Sequence, residues 1–161
     1  MYALATLVSS DASSAPAWTA FALAANESGD GWSLSGTKTF VQDAASATTF
    51  LVTARTGDGL SQFLVPVGTA GVTVSELGSL DFTRTFGRVD FDGATVPASA
   101  VLGAVGDAGN DIERQLQIAL ALQNAETVGA TTTVLDFTLE YAKDRVAFGR
   151  PIGRASCRER V

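Results

Sequence analysis

The 161-residue sequence contains no histidine, which removes Ser-His-Asp triads, imidazole proton shuttles and the usual imidazole-bearing zinc and non-haem iron sites. Its single cysteine, Cys157, excludes an intrachain disulfide and a cysteine-rich metal centre, and permits a reduced compartment. Basic residues are scarce, 11 Lys+Arg against 17 Asp+Glu, so the formal charge of −6 leaves no cationic field for nucleic acid or an anionic membrane. No apolar run approaches the roughly 18 residues of a spanning helix, and the N-terminus lacks a charged segment leading into an apolar one. These absences point to a soluble, unexported, cytoplasmic chain. What is present, 46% hydrophobic residues with only 17% charged, is enough to bury a core.

The pattern changes once along the chain. Up to about Leu102 short apolar runs alternate with turn residues, and the expected strands are 17–25, 31–41, 49–55, 62–67, 72–77 and 87–91. Glu27 to Gly31 and Thr56 to Gly59 carry turn chemistry, in which Gly supplies positive φ and Asp bonds its own backbone. Six such strands predict a barrel or sandwich. After Gly109 no proline intervenes until Pro151, and Ile112, Leu116, Ala119 and Leu120 recur at helical spacing. A second stripe of Val128, Leu135, Leu139, Ala142 and Val146 differs in phase, which predicts either two helices or one long helix irregular near Gly129 to Thr133; one long helix is preferred.

With no histidine, acid-base chemistry falls to carboxylates. Asp111, Glu113 and Arg114 open the helical half, with Asp111 and Arg114 sharing a face at i, i+3; on spacing alone a solvated helix start, with Asp111 at the positive dipole end, is the preferred reading. Around Gly31 and Gly36 neither phosphate-cradling glycine motif occurs. Trp32 and Phe40 read as core or edge aromatics.

Four segments together carry more information: Gly31-Trp-Ser-Leu-Ser-Gly-Thr-Lys38-Thr-Phe-Val41, Leu80-Asp-Phe-Thr-Arg84, Val96-Pro-Ala98 before Val101-Leu-Gly103, and Tyr141-Ala-Lys-Asp-Arg145-Val-Ala-Phe148-Gly-Arg-Pro-Ile-Gly153. In this order and spacing they resemble the acyl-CoA dehydrogenase family over 17–153. The resemblance implies an α+β fold, an antiparallel β-barrel (1–104) followed by the long helix of an incomplete four-helix bundle (105–153). It also implies that the chain is a segment of a longer protein. Residues 154–161 depart from the family pattern and are read as a non-native tail; without their Arg154, Arg158, Arg160 and Glu159, 8 basic and 16 acidic residues remain.

By the same resemblance the activity is flavin-dependent desaturation of an acyl-CoA to a 2,3-enoyl-CoA, with FAD as cofactor, electron-transfer flavoprotein as electron acceptor and a homo- or hetero-tetramer as the assembly. Such chemistry needs a carboxylate to take the α-proton and an electron sink for the β-hydride. Phe40, Val41 and Gln42 match the family's flavin-side segment, and Arg145 and Phe148 match an R-x-x-F-G motif that meets the diphosphate and adenine of a neighbouring subunit's FAD. Asp111 and Arg114 match a D-x-x-R along the CoA-thioester path. Glu113 is the base candidate within this chain, and Glu126 matches a subgroup pattern as a buried structural partner. A catalytically silent scaffold subunit and an acyl-CoA oxidase are the alternatives.

Overall fold

The computed structural model describes residues 2–5 and 22–153, which fall into two compact units, Met1–Ile112 and Glu113–Val161. Residues 17–21 of the first expected strand, and the tail, lie outside the described residues.

In the first unit the strands are β1 (Tyr2–Ala5), β2 (Ala24–Ser28), β3 (Gly31–Gln42), β4 (Thr49–Thr56), β5 (Gly59–Pro66), β6 (Val72–Leu77), β7 (Phe86–Pro97) and β8 (Val101–Leu102). Glu27 and Ser28, read above as turn residues, extend β2, and the turn is confined to Gly29 and Asp30. Among the described residues the strands do not close into the expected antiparallel barrel. The hydrogen-bonded order runs as an open path, β6-β7-β3-β2-β4-β5-β8, and β1 and β2 both pair β4 in parallel, so the sheet is mixed. The reason lies in pairing at a distance: a period-2 pattern says which face of a strand is apolar, but not which edge finds a partner.

Alternation aims one face of each strand inward. Leu34, Phe50, Val52, Phe63, Val65 and Val89 are fully buried, and Trp32 meets Phe63 edge to face with ring centroids 5.6 Å apart. Polar side chains share this interior between β4 and β5: Gln62 donates to Thr53, and the Thr56 and Ser61 hydroxyls lie 3.2 Å apart. Gly31 is required by a close approach, because a Cβ there would run into the Val96 carbonyl oxygen across the β3–β7 ladder.

Residues 106–108 are tied to β5 by the Gly106 N–H donating to Ser61 Oγ (2.8 Å) and the Ala108 N–H donating to the Leu60 carbonyl (2.9 Å). The first turn of α1 (Gly109–Asp144) starts from that anchor and buries Ile112. α1 is one uninterrupted helix, without the expected irregularity at Gly129 to Thr133. Thr127, Thr131, Thr132, Thr133 and Thr138 each donate a hydroxyl to the carbonyl four residues earlier, so the helix itself satisfies these otherwise helix-indifferent side chains. Val146, placed above in the helical stripe, lies instead in a small hairpin of β9 (Val146–Ala147) and β10 (Arg150–Pro151), since Gly149 and Pro151 favour a turn and end the helix. Apolar side chains stand exposed around α1, among them Leu120, Leu122, Val128, Val134, Phe137 and Tyr141, which is more than a one-sided stripe. No helix among the described residues is long and apolar enough to cross a membrane.

Candidate functional site

Along β3 the inward positions fall at Leu34, Gly36 and Lys38, and strict alternation would next turn Phe40 into the core. It does not do so. Lys38 pairs with Val89 and Val41 with Gly87, so Thr39 and Phe40 together oppose Arg88 alone: a β-bulge. Phe40 takes φ 56°, a left-handed conformation unusual for a bulky side chain, and is 69% exposed, while Val41 replaces it in the core. Gln42 is exposed, and Asp43 follows with φ 54°. A latch secures this segment: the Asp43 N–H donates to the Thr85 carbonyl (2.9 Å), and the Thr85 hydroxyl donates to Asp43 Oδ1 (3.0 Å). On β7 beside the bulge, Arg88 forks onto Asp90 (2.8 Å), whose Oδ1 also accepts from Thr37; both bonds hold the Asp90 carboxyl below its ordinary value.

Three of these features were not legible in the sequence reading, namely the bulge, the Asp43–Thr85 latch and the burial of Lys38. Lys38 is 1% exposed, and desolvation lowers its ammonium pKa to about 8. Its place in alternation with Leu34 was a usable signal.

In α1, Asp111, Glu113 and Arg114 are all exposed. Glu113 Oε1 accepts a hydrogen bond from Gln117 one turn on (3.2 Å). Arg114 forms no ion pair among the described residues, so the bland helix-start pairing is absent. Glu126, expected as a buried partner, is exposed, as are its neighbours along this stretch of the helix.

The hairpin after α1 places the remaining candidates. Phe148 and Gly149 form its two-residue turn with φ 52° and 75°, the backbone of a type I′ turn that normally favours Asn-Gly. Phe148 is fully exposed, and Arg145 is exposed at the hairpin's entry. The structure thus brings Phe40, Val41 and Gln42 together on one bulge, and Arg145 and Phe148 on one hairpin. No cluster of His, Cys, Asp and Glu able to hold a metal occurs among the described residues.

Chemically, the bulge offers an exposed aromatic face beside exposed Gln42, and the hairpin offers an exposed aromatic next to an exposed guanidinium. Each taken by itself, the bulge suits the face of an aromatic ring system and the hairpin suits a phosphoryl group beside a base.

Comparison with known proteins is consistent with this chemistry. Residues 8–94 match the family model for the acyl-CoA dehydrogenase middle domain. The acyl-CoA dehydrogenase FadE27 of Mycobacterium tuberculosis is 36% identical over 126 residues, covering 78% of this chain and 32% of that protein. A glutaryl-coenzyme A dehydrogenase in complex with glutaryl-CoA superimposes with a TM-score of 0.87 at 28% identity, covering 98% of this chain and 41% of the other. An acyl-CoA dehydrogenase complexed with FAD, from Bacillus anthracis, superimposes with a TM-score of 0.84 at 26% identity over 96% of this chain and 27% of the other. The chain spans about a third of the length of the curated relatives it matches.

Proposed function

The chain belongs to the acyl-CoA dehydrogenase family, and from that premise we propose that it works as the middle β-domain (1–104) and the start of the helical bundle (105–153) of an FAD-dependent enzyme that desaturates an acyl-CoA to the 2,3-enoyl-CoA. One observation carries the reading. Among the described residues only Phe40, Asp43 and Phe148 are non-glycine residues at positive φ, and the two aromatics of the three fall on the family's two flavin-facing motifs. Left-handed strain of about 1–2 kcal/mol per residue persists where the surroundings over-determine it, most often at ligand sites.

In this reading Phe40 supports the flavin ring, the Val41–Gln42 backbone faces its polar edge, and Arg145 and Phe148 receive the diphosphate and the adenine of a neighbouring subunit's FAD. FAD, when bound, supplies the acceptor for the β-hydride. The chain's own contribution to proton transfer is Glu113, whose exposed carboxylate takes the α-proton, while Arg114 and Asp111 line the path of the CoA thioester. The apolar surface around α1 supports burial against further helices of the bundle, in a tetramer that passes electrons to an electron-transfer flavoprotein. The 161-residue chain by itself does not retain FAD stoichiometrically, since most of that enclosure is supplied by other helices, and the site of action is the cytoplasm.

The test is flavin content and turnover in a protein that joins this segment to the family's remaining length. A bound flavin band with acyl-CoA-dependent reduction of an acceptor dye, lost in Glu113→Gln, is the expected result. Flavin without turnover would assign the chain to a silent scaffold subunit, peroxide formation would make it an acyl-CoA oxidase, and absence of any flavin would refute the proposal.

A further inference from the structure

The hairpin after α1 holds a second arginine that the family resemblance leaves without a role. Its register pairs Ala147 with Arg150 and Val146 with Pro151. The pairing continues one step further, because the Ile152 N–H donates to the Arg145 carbonyl (2.9 Å). Two bonds then fasten the hairpin to the helix end: the Arg145 N–H donates to the Tyr141 carbonyl (2.9 Å), and the Gly153 N–H to the Ala142 carbonyl (2.7 Å).

Alternation along these paired residues puts Arg145, Ala147, Arg150 and Ile152 on one face and Val146 and Pro151 on the other. Arg145 and Arg150 are therefore diagonal neighbours, roughly 7–8 Å apart at the backbone and within reach of each other's long side chains. Ala147 and Ile152 occupy the other two corners of that face, and neither carries a charge. Like charges so placed repel, and a fold left to itself would separate them or insert a carboxylate. No carboxylate among the described residues does so. Both arginines are exposed, and neither guanidinium has an ion pair or hydrogen bond among the described residues, while nearby Lys143 is occupied by Glu140 (2.6 Å). In a chain of net charge −6, two unneutralised guanidiniums on one face of a strained hairpin call for an anion.

We propose that Arg150 is a second anion-binding residue of the diphosphate subsite. Arg145 and Arg150 flank the two phosphoryl groups of the dinucleotide, one guanidinium fork to each, beside the fully exposed ring of Phe148. This rests on the flavin reading above, but it adds a residue and a specificity: a diphosphate engages both forks, whereas a monophosphate is served by one.

The 161-residue chain can be titrated with ADP and with AMP, following the backbone amides of Arg145, Phe148, Gly149 and Arg150 by NMR. ADP is expected to shift all four, and Arg150→Ala to weaken ADP about tenfold, the size of one lost charge-assisted contact. AMP, already served by Arg145, should weaken less than about threefold in the same variant, and Arg150→Lys should recover only part of the ADP affinity, because an ammonium lacks the fork. Protection of the Ile152 amide against hydrogen exchange verifies that the hairpin survives each substitution. If Arg145→Ala weakens ADP and Arg150→Ala leaves it within about twofold, the inference about Arg150 falls and the flavin reading stands. If ADP at about 10 mM moves none of these amides, or if neither arginine variant changes its affinity, the inference about Arg150 falls, while the flavin reading is decided by the flavin content of the longer protein.

Discussion

Phe148→Asn separates the stability of the hairpin from its use. Phe148 occupies the first position of a type I′ turn at φ 52°, where an L-residue with a bulky side chain is disfavoured by roughly 1–2 kcal/mol and Asn is tolerated. The ring is fully exposed, so removing it forfeits no buried apolar area, and the burial term that makes most Phe substitutions costly vanishes. The remaining difference is backbone strain, and relieving most of it should stabilise the closed hairpin by about 1 kcal/mol. That gain corresponds to exchange of the Ile152 amide, which is bonded to the Arg145 carbonyl, slowing about fivefold if the hairpin opens as a local unit. Hydrogen exchange monitored by NMR on the wild-type and variant chains measures it, with an α1 amide such as that of Leu135 as the internal control. Because the ring is the proposed seat of a nucleotide base, the same variant should bind ADP several-fold more weakly. An Ile152 amide that exchanges faster in the variant would mean that Phe148 stabilises the turn, and the argument from strain to ligand binding would fail.

Other perturbations test the sheet. Lys38 has a folded pKa of about 8 against 10.5 for the unstrained side chain, so between those values the unfolded chain binds more protons, and stability should rise as pH climbs through that window, by at most about 3 kcal/mol. Urea titrations at pH 7 and pH 10 measure the slope, which Lys38→Met should abolish while raising stability at pH 7. Gly31→Ala sets a Cβ against the Val96 carbonyl, and its denaturant midpoint should fall by the equivalent of about 2 kcal/mol or more, because the obstacle is backbone and cannot swing aside.

How much of this was legible in sequence depended on the range of the interaction. β6 occupies Val72–Leu77 as its alternation indicates, and β3 and β4 end within a residue of expectation at Gln42 and Thr56, since turn glycines and period-2 burial are local properties. The single helix from Gly109 to Asp144 was likewise readable from apolar spacing and the lack of proline. Motif order alone pointed to the family, and with it to Phe40, Arg145 and Phe148 as candidates.

How those candidates are presented was settled only in three dimensions. Phe40 has the spacing of a core residue, and it leaves the core because β7 supplies a single residue, Arg88, opposite Thr39 and Phe40. The open, mixed sheet follows from β1 and β2 meeting β4, a choice among edges that no single strand encodes. Arg145 and Arg150 lie five apart in sequence and would have fallen on different sides of a continued helix; the Phe148–Gly149 turn puts them on one face instead. Each of these outcomes depends on which backbone segments pair, and pairing energy belongs to two segments jointly, so neither segment's sequence states it alone.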